Sequence, residues 1–78
     1  IGGGLSIETF ETCWSALRPL GRLVVNAVTL ESEAVLLILY PKYGGDLVRI
    51  QVSRADTIGR VNGWRPSMPV TQWSLIKR

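Results

Sequence analysis

Asn26 is the one polar side chain in the apolar run LVVNAV at residues 23–28. A buried amide must find hydrogen-bond partners, so Asn26 either satisfies neighbouring backbone or holds something against the strand. Thr29 stands three residues later, where that run gives way to ESEA. Its hydroxyl can cap a helix or share a ligand with Asn26. Arg60 and Arg65 flank Trp64 within a stretch rich in turn residues. A guanidinium matches a carboxylate with two parallel hydrogen bonds, and an indole between two of them can stack on a flat ligand or fold onto its own loop. Glu31 could act as an acid–base group, although a glutamate in a first helical turn ordinarily serves the helix dipole. Gly2, Gly3 and Gly4 lack GxGxxG spacing and read first as a turn. With no histidine in the chain, every His-based triad is excluded. The single cysteine, Cys13, excludes an internal disulfide and leaves no ligand set for structural zinc. We expect no metal, and we expect Cys13 to be a small apolar residue rather than a nucleophile.

The elements that must position these residues follow from periodicity. Ser6 can cap a helix with Glu8 and Glu11 near its positive end. Ile7, Phe10, Trp14 and Leu17 form one apolar stripe at helical spacing. Pro19 ends that helix, and Pro19 with Gly21 suits a type I turn. Residues 23–28 read as a strand apolar on both faces. Thr29 then caps a second helix on which Leu30, Ala34, Leu37 and Ile38 share a face, and Pro41 should stop it near Tyr40. Residues 47–54 alternate wet and dry, the pattern of a strand at or near a sheet edge. Residues 56–68 read as a long loop, and loops of that length are ordinarily functional or mobile. Residues 70–77 form a last strand anchored by Trp73, antiparallel to the one before it. The class is α/β, with about three strands and two helices. In open α/β sheets a ligand lies beyond the carboxyl ends of the strands, which is where Asn26 and Thr29 fall.

Seventy-eight residues make at most one small domain with a thin stability margin. The net charge of +3 is uneven: residues 1–45 sum to −1 and residues 46–78 to +4. That basic half suits a solvated face, or an anionic partner such as a polycarboxylate or nucleic acid. No apolar run approaches the roughly 18 residues of a membrane span and nothing resembles a secretory signal, so a cytoplasmic location and no membrane partner are expected. The strand at residues 23–28 needs a cover on both faces, yet one face has no helix to supply it. This predicts partnership, with a missing half of the domain or with another copy.

The strings IGGG, ETCWSALRP, GRLVVNAVTLESEA and GWRPSMPVTQWSLIK resemble, in order and across the whole chain, the C-terminal methyltransferase domain of the precorrin-6Y methyltransferase family. The resemblance implies the C-terminal half of a class I, Rossmann-like methyltransferase domain that uses S-adenosylmethionine (SAM). Residues 1–78 are then a single partial domain. It also implies methylation and decarboxylation of a tetrapyrrole (precorrin) substrate in cobalamin biosynthesis, in an enzyme that forms homo-oligomers. The family's Gly-rich loop and ribose-gripping acid belong to a missing N-terminal half, so this chain alone is expected to be inactive. On this resemblance Gly2, Gly3 and Gly4 lie beside the cofactor, while Asn26, Thr29, Arg60, Trp64 and Arg65 take the substrate. No catalytic residue is implied, since methyl transfer from a sulfonium needs alignment more than a strong base. Leu20 stands where the family turn reads Pro-Gly-Gly, and Pro41 where relatives continue the helix. A small basic nucleic-acid-binding or oligomerisation module is the alternative. Against the former, aromatic residues other than Trp64 are not interleaved with the basic ones.

Overall fold

The computed structural model describes residues 4–78. In chain order the elements are α1 (Ile7–Ala16), β1 (Arg22–Ala27), α2 (Leu30–Tyr43), β2 (Asp46–Ile50), β3 (Ser53–Ile58), β4 (Val61–Pro66) and β5 (Val70–Ile76). β1, β5 and β2 form one sheet in that order, and β3 pairs with β4 in a separate two-stranded hairpin. β5 runs antiparallel to both neighbours, with Val25 opposite Trp73 and Leu47 opposite the same tryptophan. β1 and β2 are therefore parallel, and their carboxyl ends lie at one edge of the sheet, joined by α2 as a crossover.

Both helices cover the same sheet face. Phe10 from α1, Leu36 and Leu39 from α2, Val25 and Ala27 from β1, and Trp73 and Leu75 from β5 make the core. Strand alternation explains the choice, because Thr71, Trp73 and Leu75 are buried while Gln72 and Ser74 between them are not. Phe10 stacks on Trp73 at 5.3 Å and on Trp14 at 5.8 Å. The Trp73 indole N–H donates to the Gly44 carbonyl at 2.7 Å, so the largest buried ring also fixes the end of α2. Lys77 Nζ donates to the carbonyls of Trp14 and Leu17 at 2.8 and 2.9 Å, placing a cation on the negative end of α1. Trp14 and Trp73 thus act as core residues, and Cys13 is a half-buried free thiol.

The caps follow the sequence expectation. Ser6 Oγ accepts from the Thr9 amide at 3.0 Å, and Thr29 Oγ1 from the Ser32 amide at 3.2 Å. Four local expectations are corrected. The turn after α1 closes through Gly21 N–H to the Arg18 carbonyl at 2.9 Å, with Leu20 at φ 67°. A positive φ at the third position is the type II signature, not type I. Pro41 does not stop α2 at Tyr40. It costs the helix one N–H, the one that would reach Leu37, but Tyr43 packs against Phe10 and Trp14 at 4.8 and 5.3 Å and holds the last turn. Ile7 of the α1 stripe is exposed. Leu30, Ala34, Leu37 and Ile38 do share a face of α2, but it is the outward one; Ser32, Leu36 and Leu39 are the buried residues. Both sides of α2 are apolar, and it is Leu36 and Leu39, with Val35 and Tyr40 beside them, that join Phe10 and Trp73 in the core.

The fourth correction is the largest. Residues 56–68 are not a loop: most of them belong to the β3–β4 hairpin, and the expected strand 47–54 ends at Ile50. Gly59, at φ 60°, is the first central residue of a two-residue connection between Ile58 and Val61, the type II′ arrangement that suits strand twist. Ser67 N–H to the Val52 carbonyl at 2.8 Å closes the base. The hairpin projects as an arm. The radius of gyration is 16.0 Å, against about 11.5 Å for a compact chain of this length, and the longest extent is 54 Å.

Candidate functional site

The carboxyl ends of β1 and β2 gather polar groups from five parts of the chain. Ser32, in the first turn of α2, is held by Thr29 through its amide and in turn accepts the Leu5 N–H on its buried hydroxyl at 3.3 Å. That bond pins residues 4 and 5 beside the end of β1. Gly4 is the described member of the glycine triplet; Gly2 and Gly3 lie outside the described residues. A Cβ on Gly4 would meet nothing within 4 Å, so this backbone is open to a ligand on that side.

On the sheet face away from the helices, Asn26 stands opposite Gln72, and Gln72 Nε2 donates to Asn26 Oδ1 at 3.0 Å. Asn26 is half-buried, and its partner is a side chain on β5. The Asn26 amide NH₂ and the Gln72 carbonyl are the remaining donor and acceptor of the pair. On the helix face, Arg49 Nη2 donates to Glu33 Oε1 at 2.8 Å and to Thr71 Oγ1 at 3.3 Å, while Thr71 Oγ1 donates to Glu33 Oε2 at 3.3 Å. This triangle ties α2, β2 and β5 together at their ligand-side ends. Sequence reading missed Ser32, Glu33, Arg49, Thr71 and Gln72. Their partners lie up to 46 positions away, and only the cross-strand register, once known, reveals them.

Arg60, Trp64 and Arg65 lie elsewhere, on the arm. Arg65 pairs with Asp56 at 2.8 Å, both groups well exposed. Successive residues of a strand point to opposite faces, so Trp64, opposite Ala55, lies on one face of the hairpin and Arg65, opposite Arg54, on the other. Arg60 is at the tip, in the connection itself. The three are close in sequence but do not form one cluster. Trp64 is 74% exposed, so it does not pack the arm down.

A cleft of about 590 Å³ lies at the opposite end of the sheet, lined by Arg22, Lys42, Arg78 and Asp46 among others. It is removed from the strand ends where α/β ligands bind. Among the described residues no cluster of His, Cys, Asp or Glu could hold a metal ion, and no helix is long and apolar enough to cross a membrane.

What the strand-end rim can do is present hydrogen-bond donors, acceptors and open backbone to one side of a ligand. Its hydroxyl beside a carboxylate, Thr71 on Glu33, is also engaged by Arg49.

Comparison with known proteins agrees with that partial architecture. The profile of the precorrin methyltransferase domain family matches residues 1–77. The precorrin-6Y C(5,15)-methyltransferase (decarboxylating) of a Sinorhizobium species is 51% identical over 76 residues, which are 97% of this chain and 18% of the relative. The Mycobacterium tuberculosis H37Rv protein of the same name is 47% identical over 79 residues, 100% of this chain and 20% of the relative. The C-terminal domain of precorrin-6Y C5,15-methyltransferase from Rhodobacter capsulatus superposes with a TM-score of 0.87 at 45% identity, over 99% of this chain and 42% of that one. A domain assigned as the same enzyme from Corynebacterium diphtheriae superposes at 0.91 with 40% identity, over 100% of this chain and 47% of that one. The chain thus spans about a fifth of the length of these curated relatives and less than half of the crystallised domains. It belongs to the precorrin methyltransferase domain family and represents the C-terminal part of that domain's partial Rossmann-like α/β fold.

Proposed function

We propose that this chain forms one wall of the SAM and substrate site in an enzyme that methylates and decarboxylates precorrin-6Y in cobalamin biosynthesis. The observation that carries the reading is the match, at 51% identity, to a protein named for that reaction. The placement of the polar rim at the carboxyl ends of parallel strands supports it. Nothing in the comparisons favours a nucleic-acid module.

The residues present fit half of a cofactor pocket. Gly4 offers open backbone, while a Gly-rich loop after a strand, which would hold the methionine end, has no counterpart in the sequence. SAM, when bound, supplies an electrophilic methyl group. Gly4, with Gly2 and Gly3 before it, leaves main chain free to approach the cofactor. Asn26, steadied by Gln72, offers an amide NH₂ to the substrate, and Thr29 fixes the start of α2 beside it. The side chains align reactants and exclude water. Loss of the acetate carboxyl as carbon dioxide leaves its bonding electrons on the macrocycle, and no protein base is required.

Arg60, Trp64 and Arg65 suit the carboxylates and flat face of such a substrate, but they sit on an arm that stands clear of its own body. A substrate role for them needs the arm of one copy to reach a neighbour. An isolated two-stranded hairpin is marginal in water, and this one exposes Ile58, Val61 and Trp64, so the reading includes a homo-oligomer in which the arm is buried. The enzyme is placed in the cytoplasm.

The test is methyl transfer from labelled SAM to precorrin-6Y by the intact parent protein, with Asn26→Ala beside it. Activity with an elevated KM in the variant supports the reading; absence of transfer by the intact protein refutes it. The 78-residue chain alone should not bind SAM by calorimetry, and micromolar binding contradicts the half-pocket.

A further inference from the structure

Ser32 and Thr71 are the two buried polar side chains among the described residues. Thr71 binds within the body of the fold, to Glu33 and Arg49. Ser32 reaches out of its own helix instead. Its Oγ accepts the Leu5 N–H at 3.3 Å, across 27 positions of sequence. Leu5 precedes α1, so no helix or sheet ladder supplies a partner for that N–H. A buried N–H needs an acceptor, and the Ser32 hydroxyl is the acceptor it has.

This bond is one link in a chain that crosses the strand-end rim. Thr29 Oγ1 accepts the Ser32 N–H at 3.2 Å, and the Thr29 carbonyl accepts the Glu33 N–H at 3.0 Å. Both bonds fix the first turn of α2 and Ser32 with it. Ser32 in turn fixes Leu5, whose side chain lies in the core. On the other side of Leu5, the Ser6 cap and the Phe10 N–H to the Ser6 carbonyl at 3.0 Å lock the start of α1. Gly4 is thus joined to a residue anchored twice, by side chain and by backbone, while a Cβ on Gly4 would meet nothing within 4 Å.

The two anchors do different things. The Leu5 side chain fixes a position, but it leaves the peptide plane before it free to rotate. The bond from the Leu5 N–H fixes that plane. In a trans peptide the carbonyl points opposite to the N–H, so the Gly4 carbonyl is turned away from Ser32. Glycine has more backbone freedom to lose than any other residue. Ordering it during ligand binding costs affinity, and ordering it beforehand removes that cost.

We propose that Ser32 is a positioning residue for the cofactor. By holding the Leu5 N–H it sets the Gly4–Leu5 peptide plane and presents the Gly4 main chain to SAM before SAM arrives. The inference rests on the reading above that Gly4 lies beside the cofactor, and it adds a residue that itself touches no ligand.

The test uses the intact parent protein with SAM as the probe. Ser32→Ala removes the acceptor and little volume. Its affinity for SAM by calorimetry should fall about three- to tenfold, the worth of one hydrogen bond, and KM for SAM should rise by the same factor. The kcat at saturating SAM and the KM for precorrin-6Y should stay within about twofold of the parent. Amide exchange at Leu5 in the SAM-free protein should be about tenfold faster. Ser32→Thr keeps the hydroxyl and should restore both SAM affinity and Leu5 protection. Gly4→Ala should melt with the parent, since its Cβ enters open space, yet bind SAM more weakly. A Ser32→Ala protein that melts lower but binds SAM as tightly as the parent overturns the proposal, because Ser32 then serves stability alone. Equal weakening towards SAM and precorrin-6Y overturns it too, as a general loosening of the site. Parent-like SAM affinity in Gly4→Ala removes the cofactor from this segment and refutes the underlying reading, whereas parent-like affinity in Ser32→Ala alone refutes only the tether.

Discussion

Replacing Leu20 by glycine should stabilise the domain, although it deletes an entire leucine side chain. Leu20 sits at φ 67°, where the Cβ of an L-residue crowds the following carbonyl at a cost of roughly 1–2 kcal/mol. The position is held from both sides: Leu20 N–H donates to the Lys77 carbonyl at 2.6 Å, Lys77 N–H to the Gly21 carbonyl at 2.9 Å, and Gly21 N–H to the Arg18 carbonyl at 2.9 Å. These bonds tie the α1–β1 turn to the end of β5, so the chain cannot relax φ without losing them. The side chain is 78% exposed, so little burial is lost with it. Glycine removes the clash but returns about 0.4–1 kcal/mol of extra freedom to the unfolded chain. The net gain is about 0.5–1 kcal/mol, or about 1–4 °C in a domain of 150–250 residues. The assay is thermal unfolding of the intact methyltransferase domain carrying Leu20→Gly, Leu20→Ala or Gly21→Ala. Alanine retains the Cβ, so Leu20→Ala should melt with the parent. Gly21→Ala should be destabilising by about 1–3 kcal/mol, because its Cβ would lie 2.8 Å from the Arg18 carbonyl oxygen and from the Leu17 side chain. A Leu20→Gly melting point no higher than that of Leu20→Ala refutes the strain argument.

Further expectations rest on single contacts. Phe10→Ala removes a fully buried ring stacked between Trp14 and Trp73 and should cost about 3–5 kcal/mol in chemical denaturation. Pro41→Ala restores the N–H that reaches Leu37 and should stabilise the isolated domain by about 1–3 kcal/mol in chemical denaturation, since α2 is helical on both sides of it. Glu33→Gln weakens its pair with Arg49, whose side chain is 57% exposed, and should change stability by less than about 1 kcal/mol. Trp64→Asp on the arm should lower the oligomer mass measured by sedimentation while leaving the melting of the body, where the arm makes no contribution to the core, within about 0.5 kcal/mol.

The parts of the fold legible in the sequence are those whose signal is local. Ser6 and Thr29 announced their helices because a capping hydroxyl acts within three residues. Trp73 announced a buried strand by size and setting. The type II′ turn was equally local: Ile58-Gly59-Arg60-Val61 places Gly between β-branched residues, the pattern of a two-residue hairpin. The arginines and the proline around it made the stretch look like a loop. The strand-end rim was half legible. Asn26 declared that it needed a partner, but Gln72 could be named only after β5 was found between β1 and β2 rather than beyond them. Arg60, Trp64 and Arg65 were grouped by proximity in sequence, which a strand's alternation undoes.

The exposed apolar residues of α2 and of the arm share one physical cause. Periodicity reports which residues are apolar, not which neighbour they are apolar towards. On α2 the sequence offers two apolar arcs, and that Leu30, Ala34, Leu37 and Ile38 share a face does not say whether that face meets the core. The structure gives the core to Ser32, Leu36 and Leu39 because the stack of Phe10 on Trp73 fills the space beneath them. The other arc is left exposed. The arm follows the same logic. Ile58, Val61 and Trp64 face solvent on strands that bury nothing, so a sequence signal for burial is present without burial. The curated relatives are about five times longer than this chain, so burial signals of this kind need not be met within it.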